Sequence, residues 1–230
     1  RQRDRYAYWH EVICRFYARA EAHRNDRERA FFAEFDRRVF GTLAISDIRC
    51  AALRYDRRRE DLRLDPNEDF LLTLMLDGQA HLEQGGRLAV QQPGGIVLYD
   101  AAREFVYDFT SPYRILLVRI PRRTLLSRLP DAERMTAVTL GAGSGIGSMA
   151  AWLMRSAITL PALPEAGPSA KVGTSILELI SAAFEADVAG RRELRRGAAR
   201  RRDDLARRRR LAVGRHGAPR RDVGLCRGGV

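Results

Sequence analysis

The sequence has few of the residues that mark secreted, metal-stabilised or membrane-spanning proteins. Its three cysteines, Cys14, Cys50 and Cys226, are far apart and form no Cys-x-x-Cys or Cys/His spacing, so neither a disulfide framework nor a structural zinc site is indicated. No window approaches the roughly 18 uninterrupted apolar residues of a membrane span, and the N-terminal RQRDRYAYWH lacks the apolar core of a signal peptide. We therefore expect a cytoplasmic protein.

The sequence also lacks a recognisable catalytic motif. No Gly-x-Ser-x-Gly elbow is present, and the glycine-rich GAGSGIG at residues 141–147 does not match G-x-G-x-x-G, because Ile146 or Ser148 occupies the sixth position. A metal-dependent barrel enzyme would need two or three histidines and a glutamate together. Only His81, with Glu83 on the same strand face, lies on a predicted barrel strand. We therefore expect a protein that is not an enzyme and has no metal or cofactor.

Basic charge is concentrated at one end of the chain. The 41 basic and 29 acidic residues give a formal net charge of +12, which by itself favours a nucleic-acid-binding surface. Residues 191–230 contain 15 arginines and four acidic residues, a net charge of +11, whereas residues 1–190 carry +1. The body of the protein is therefore nearly neutral. The basic segment has too little apolar surface to offset the entropy of ordering, so we expect it to be disordered beyond a frayed helical start.

The first 120 residues combine one helix with a series of short strands. Apolar residues at helical spacing predict an amphipathic helix over residues 4–24. Further along, short runs of branched and aromatic residues alternate with turn signals, of which Gly85-Gly86 is the clearest hairpin turn. The predicted strands are 43–53, 70–76, 80–84, 87–90, 96–99, 104–109 and 113–120. Such spacing is typical of an antiparallel sandwich or closed barrel rather than a parallel βαβ sheet.

After residue 120 the apolar residues return to helical spacing. Helices are predicted over residues 121–129, 148–160 and 169–188. The last two carry apolar stripes that could pack on the barrel or pair with a second subunit, and the sequence does not choose between these alternatives.

Six landmarks follow one another in a fixed order between residues 8 and 128. They are YWHEVIC, FGTLAISDIRC, Arg54 within ALRYDR, EDFLLTLMLDGQAHLEQGGR, QQPGGIVLYDAAREFVYDF and ILLVRIPRRTLLSRLP. In this order and spacing they resemble the ligand-binding and dimerisation domain of AraC-family transcriptional regulators. The resemblance covers roughly residues 6–190.

The resemblance implies an α+β fold, in which a small cupin-like β-barrel of the jelly-roll type is preceded by one helix and followed by an α-helical dimerisation segment. It divides the chain into a helix and effector-binding barrel (1–120), a helical dimerisation segment (121–190) and the arginine-rich tail (191–230). The implied function is small-molecule sensing without catalysis, in a homodimeric DNA-binding transcriptional regulator. Its partners would be a small-molecule effector, a second copy of the chain and, if a helix-turn-helix domain is present, DNA.

Four polar or aromatic residues on predicted barrel strands, or directly after one in the case of Arg54, are candidate effector-binding residues: Arg54, His81, Tyr99 and Tyr107. Arg54 could form a bidentate pair with a carboxylate effector, because the geometry of the guanidinium matches that of a carboxylate. For each residue, a structural ion pair, a hydrogen bond or a solvent-facing side chain is the alternative interpretation.

The C-terminal segment departs from the family pattern. Two helix-turn-helix units need several helices with apolar faces, which residues 191–230, rich in Arg, Gly and Ala, do not supply. We therefore expect that the DNA-binding domain is missing and that the tail from about Gly197 is an out-of-frame reading of a GC-rich gene. Two alternative functions remain open: a nucleic-acid-binding protein that uses the basic tail, and a metal-dependent cupin enzyme.

Overall fold

Two antiparallel sheets and five α-helices make up the part of the chain that the computed structural model describes, residues 2–24, 30–141, 145–161 and 166–214. The helices are α1 Gln2–Phe16, α2 Arg59–Leu64, α3 Arg122–Leu126, α4 Gly145–Thr159 and α5 Ala166–Gly214. The strands are β1 Glu21–Arg24, β2 Ala33–Phe40, β3 Leu43–Cys50, β4 Leu53–Arg57, β5 Phe70–Asp77, β6 Ala80–Gln84, β7 Arg87–Gln91, β8 Gly95–Asp100, β9 Phe105–Phe109, β10 Tyr113–Ile120 and β11 Thr139–Gly141.

The strands form two sheets, which we call sheet A and sheet B. Sheet A has the order β1-β4-β9-β6-β7, and sheet B has the order β11-β8-β5-β10-β3-β2. The β6–β7 hairpin turns at Gly85 and Gly86, whose φ angles are 59° and 71°. A two-residue turn of this hand needs positive φ at both positions, and glycine adopts positive φ without a steric cost.

Two hydrophobic cores lie on the two faces of sheet B. The first, which contains most of the aromatic residues, fills the space between the sheets and beneath α1. The second packs the other face of sheet B against α3, α4 and α5. Because both faces of sheet B are covered, Phe70–Met75 of β5 and Ile115–Val118 of β10 are consecutive buried residues, all apolar except Thr73, rather than alternating ones. In β10, Ile115 and Leu117 belong to the first core, and Leu116 and Val118 belong to the second.

The helical segment after the barrel packs on it. Met154 of α4 and Ile176, Ile180 and Phe184 of α5 are almost fully buried in the second core. Residues 1–187 form one compact unit that includes both the barrel and these helices. Packing on the barrel, one of the two alternatives that the sequence left open, is therefore what the structure shows.

The structure differs from the sequence-based prediction at both ends. The first helix stops at Phe16 instead of residue 24, because Glu21–Arg24 pair with β4 as a strand. Residues 188–214 belong to a second unit of the structure, and residues 191–214 are helical where disorder was expected. Arg, Ala and Leu have high intrinsic helix propensity, which accounts for this difference. Residues 215–230, with the remainder of the predicted tail, and residues 142–144 of the glycine-rich loop lie outside the described residues.

Within the described ranges, no helix combines the length and the apolar character needed to cross a lipid bilayer.

Candidate functional site

A small, mainly apolar cavity lies between the two sheets, under the end of α1. Its volume is about 40 Å³. Both sheets and the segment after α1 contribute to its walls, which consist of Ile13, Tyr17, Ala18, Ala20, Ile48, Tyr55, Leu71, Tyr99, Phe105, Tyr107, Phe109, Tyr113, Ile115 and Leu117. Seven of these side chains are aromatic rings, so the cavity has flat and polarisable walls.

The aromatic rings are stacked on one another in an ordered series. The ring centroids of Tyr107 and Phe109 are 4.4 Å apart, and those of Phe109 and Tyr113 are 3.7 Å apart, both in stacked geometry. Tyr99 packs edge-on against Tyr107, with centroids 5.4 Å apart. Buried aromatic pairs of this kind are favourable beyond their area alone and have few rotamers to choose from. The walls of the cavity are therefore preorganised.

Polar groups mark one side of the cavity. The hydroxyl of Tyr107 lies 2.6 Å from that of Thr73 and donates to the side-chain oxygen of Gln91. The Gln91 amide donates to the backbone oxygens of Thr73 and Gly95, at 3.1 and 2.9 Å. The Gln91 side chain is thus fixed by its own donors, and it orients the phenol at the wall of the cavity.

The helix α1 and residues 17–20, which we call the lid, cover the cavity. Ile13, Tyr17, Ala18 and Ala20 of the lid face into it. One anchor of the lid is Arg57, whose side chain is completely buried. Its guanidinium donates to the backbone carbonyls of Arg19, Asp65 and Ala101. This one side chain therefore joins the lid to two loops of the barrel.

Burial keeps the cavity phenols neutral. It raises the pKa of Tyr17 to about 12 and moves the pKa values of Tyr55, Tyr99 and Tyr107 upwards from their ordinary value. Burial acts in this direction because it disfavours the charged phenolate. At neutral pH these residues are hydrogen-bond donors and acceptors and not bases, which suits binding rather than proton abstraction.

The four residues singled out in the sequence are divided between two surfaces. Tyr99 and Tyr107 line the cavity. Arg54 points away from it and forms an ion pair with Asp56, with 3.0 Å between Nε and Oδ1 and 43% of its side chain exposed. His81 is exposed on β6, where its neighbours Ala80 and Leu82 are buried. Alternation along a strand places successive side chains on opposite faces, which explains the separation.

The sequence-based selection missed several cavity residues. Tyr55, one position after Arg54, faces inward, and Phe109 and Tyr113 continue the series that begins at Tyr107. The period-2 alternation of β9 was a usable signal for Phe109, because it has the same parity as Tyr107. Tyr17 was marked only as part of the buried apolar face of the helix predicted over residues 4–24, and not as a cavity residue.

A second group with potential reactivity lies on α1, outside the cavity walls. His10 Nε2 is 3.6 Å from the sulfur of Cys14 and 2.8 Å from the carbonyl oxygen of Ala20. Interaction with Cys14 raises the pKa of His10 to about 8. Burial is the largest single influence and works to raise the pKa of the Cys14 thiol, but the hydrogen bonds to His10 and Ala20 and the charges of His10 and Arg19 together lower this pKa. Among the described residues there is no group of three or more His, Cys, Asp or Glu that could hold a metal ion.

Two antiparallel sheets that enclose an aromatic cavity, with helices packed on the outside of one sheet, define a cupin-like α+β domain. Residues 9–185 match the model of the AraC-binding-like domain family, and the chain belongs to that family.

Comparison with known proteins agrees with this assignment. The chain is 30% identical over 178 residues to the transcriptional activator NphR of Rhodococcus sp., covering 76% of this chain and 53% of NphR. It is 24% identical over 184 residues to an uncharacterised protein in the nit 5' region of Bacillus sp. (strain OxB-1), covering 80% of this chain and 71% of that protein. The crystal structure of the AraC-like transcriptional activator CuxR superposes with a TM-score of 0.69 at 16% identity, covering 78% of this chain and 65% of CuxR. The chain thus spans about half the length of NphR and 65% of CuxR.

Proposed function

We propose that this chain is the effector-sensing part of an AraC-like transcriptional regulator and that a small molecule binds, without being converted, between the two sheets. The observation that carries this proposal is the aromatic cavity closed by the lid. Rigid aromatic walls with few polar groups are typical of small-molecule sites. The transcriptional activators to which the chain is similar support the regulatory role.

Binding requires the cavity to enlarge. An apolar cavity of roughly 150 Å³ accommodates benzene, whereas this one has about 40 Å³. Ladders of backbone hydrogen bonds hold the strands together within each sheet, whereas α1 and residues 17–20 belong to neither sheet. The lid is held by fewer contacts, so it is the element that moves. Effector binding is therefore coupled to the position of α1.

A cavity-filling substitution tests the site. Ala18 is buried in the cavity wall, and Ala18→Leu places additional carbon atoms in the space that the ligand would use. Aromatic compounds that raise the Tm of the unmodified protein, with binding verified by calorimetry, are expected to lose their effect on this variant. Ala7→Leu, at an exposed position of α1, is the matched control and retains binding. Equal binding to both variants would rule out an interior site.

We further propose that α4 contributes to a homodimer interface. Met149 and Trp152 are 56% and 68% exposed, and with Leu153 and Leu179 they form an apolar groove of about 260 Å³. Large exposed apolar residues that cluster are typical of subunit contacts. Light scattering on Trp152→Lys is expected to show a monomer, while Val90→Lys, which changes an exposed apolar residue of β7, leaves the dimer intact. A monomeric unmodified chain would contradict this proposal.

A second candidate function concerns the arginine-rich residues 191–230, whose net charge is +11. The first 24 residues of this segment, 191–214, are helical, and Arg192, Arg196 and Arg202 are exposed. Such a segment would bind nucleic acid weakly and without sequence preference, with an affinity that falls steeply as salt increases. Binding that persists after deletion of residues 191–230 would contradict it.

A further inference from the structure

Five buried side-chain polar atoms in the described structure have no hydrogen-bonding partner, and three of them lie in one region. They are the hydroxyl of Tyr17, the hydroxyl of Ser46 and Nε of Arg37. Tyr17 is 3% exposed and Ser46 is fully buried. An unsatisfied buried polar group is costly, because it loses its hydrogen bonds to water without replacement. A group of three in one place therefore requires an explanation.

The strand register brings these residues to the edge of the cavity. Arg37 of β2 is directly opposite Ser46 of β3, and Ser46 is opposite Leu117 of β10. Leu117 and Tyr17 both line the cavity, as does Ile48, two residues along β3 from Ser46. Because alternate residues share a face, Ser46 and Ile48 face the same side of sheet B. The polar group is thus continuous with the aromatic walls.

The charge in this region is positive and unbalanced. Arg119 and Asp69 form an ion pair, and Arg38 pairs with Asp36 at 3.8 Å. Arg37, by contrast, has no carboxylate partner in the described part of the chain, and its guanidinium lies 5.3 Å from the ring centroid of Phe16, at the end of α1. A partly buried guanidinium without a counter-ion is unfavourable until an anion approaches.

Each of the three groups is able to donate a hydrogen bond. Burial raises the pKa of Tyr17 to about 12, against the opposing influence of Ser46, Arg37 and Arg119, so the phenol keeps its proton at neutral pH. The two hydroxyls are near each other, but neither satisfies the other with acceptable geometry. A guanidinium and two hydroxyl donors match a ligand that only accepts hydrogen bonds, and a carboxylate is such a group.

We propose that Tyr17, Arg37 and Ser46 form a carboxylate-binding subsite and that the effector is a small aromatic carboxylic acid whose ring occupies the cavity. This inference rests on the proposed function and specifies the chemical class of the ligand. The ring would pack against the walls formed by Tyr55, Tyr107, Phe109 and Tyr113. Its carboxylate would satisfy the three donors and neutralise Arg37. Since Tyr17 belongs to the lid, binding of the carboxylate also fixes the lid in position.

Paired acids and amides test the subsite on the full chain. Benzoate and phenylacetate are compared with benzamide and phenylacetamide, which have nearly the same shape without the charge, by calorimetry and by the shift in Tm. The two acids are expected to bind at least tenfold more tightly than their amides. Arg37→Met is expected to remove this preference and to weaken acid binding roughly 10- to 100-fold, the usual range for a charge-assisted hydrogen bond. Arg49→Gln, at an exposed position of β3, retains the preference.

The stability of the unliganded variants separates a binding role from a structural one. Because Arg37 Nε and the Ser46 hydroxyl are unsatisfied without a ligand, Arg37→Met and Ser46→Ala are expected to leave the Tm of the free protein unchanged or higher. A lower Tm in both variants would show that these residues hold the fold, and the subsite would be withdrawn. Acids and amides binding equally well would also overturn the subsite while leaving the sensing function in place. If neither the acids nor the amides bind, the assignment of the effector as an aromatic acid is wrong. If, in addition, the Ala18→Leu comparison reveals no ligand in the cavity, the proposed sensing function is also wrong.

Discussion

The indole nitrogen of Trp9 donates a 2.9 Å hydrogen bond to the phenolic oxygen of Tyr55, and both residues are buried. Trp9 belongs to α1 and Tyr55 to β4, so the bond joins the lid to sheet A. On its other side, α1 contacts sheet B through Phe35, whose ring packs against those of Trp9, Phe16 and Tyr17. The lid therefore bridges the two sheets at the end where the cavity is covered.

Replacing Trp9 should loosen the lid. Trp9→Phe removes the hydrogen bond and part of the buried ring, so we expect the free energy of unfolding to fall by about 1–3 kcal/mol. Hydrogen exchange of the α1 amides is expected to accelerate. Trp152→Phe, at an exposed tryptophan, is the control and should change stability by less than about 0.5 kcal/mol. Denaturant unfolding of the two variants in parallel makes the comparison, and equal losses would contradict the bridging role.

Arg57 should be more important for stability than its neighbour Arg58. Arg57→Met leaves the carbonyls of Arg19, Asp65 and Ala101 without their buried donor, which we expect to cost about 3–5 kcal/mol. Arg58 is 63% exposed, its partner Glu21 is 54% exposed, and its other partner Asp56 keeps an ion pair with Arg54, so Arg58→Met should cost less than about 1 kcal/mol. Urea midpoints measure both, and a similar loss for the two variants would be inconsistent with the structure.

Replacing two glycines of α5 by alanine should change the stability of the protein in opposite directions. At Gly173 a Cβ atom would be 2.1 Å from the carbonyl oxygen of Phe40, whereas at Gly190 it would meet nothing within 4 Å. Gly173→Ala forces the helix and β2 apart and should destabilise the protein by about 1–3 kcal/mol. Gly190→Ala should instead be neutral or stabilising by up to about 1 kcal/mol, because alanine has the higher helix propensity. Thermal unfolding followed by circular dichroism would show whether the signs differ.

Cys14 should be the reactive thiol of the barrel. Its pKa is lowered by His10, and it lies at a surface groove, whereas burial raises the pKa of Cys50 to about 12. In a Cys226→Ser background, iodoacetamide at pH 7.5 should label Cys14 at least tenfold faster than Cys50, as read by mass spectrometry. His10→Asn should slow labelling of Cys14 at pH 7 and affect it less at pH 9.5, where the thiol ionises without assistance. Labelling of Cys14 that does not depend on His10 would contradict the pairing.

The sequence predicted the central strands of the barrel well, because their apolar runs are bounded by glycine and proline turns. It did not predict β1 or β2. In β2 the sequence AEFDRRVF has four charged residues, and only pairing with β3 makes it a strand. The position of Arg37 next to Ser46 follows from this pairing and not from any local pattern. The position of Tyr17 could not be predicted from a local pattern either. The helix predicted to continue to residue 24 ends at Phe16, and Tyr17 begins the segment that leads to β1.

The sequence could identify cavity residues only where the alternation of side chains along a predicted strand showed which of them face inward. Tyr99 and Tyr107 were selected as aromatic residues on strands, and the structure places both at the cavity wall. Arg54 was selected for its charge, but its neighbours Leu53 and Tyr55 occupy the inner face, which leaves the arginine outside. Whether these residues contact an effector remains a prediction for the binding experiments above.

Sheet B is a single layer of strands whose side chains pack into one hydrophobic core on each face. Leu117 contacts the cavity, while Leu116 and Val118, its neighbours in the chain, are packed under the helices. Any group that pushes Leu117 aside displaces the same peptide units that hold the other two. The mutational tolerance of Ile115–Val118 must therefore be low at every position and not at every second one. A deep mutational scan would show residues 115–118 of β10 as an unbroken block of sensitivity, whereas β6, exposed on one side, would show sensitivity at every second position.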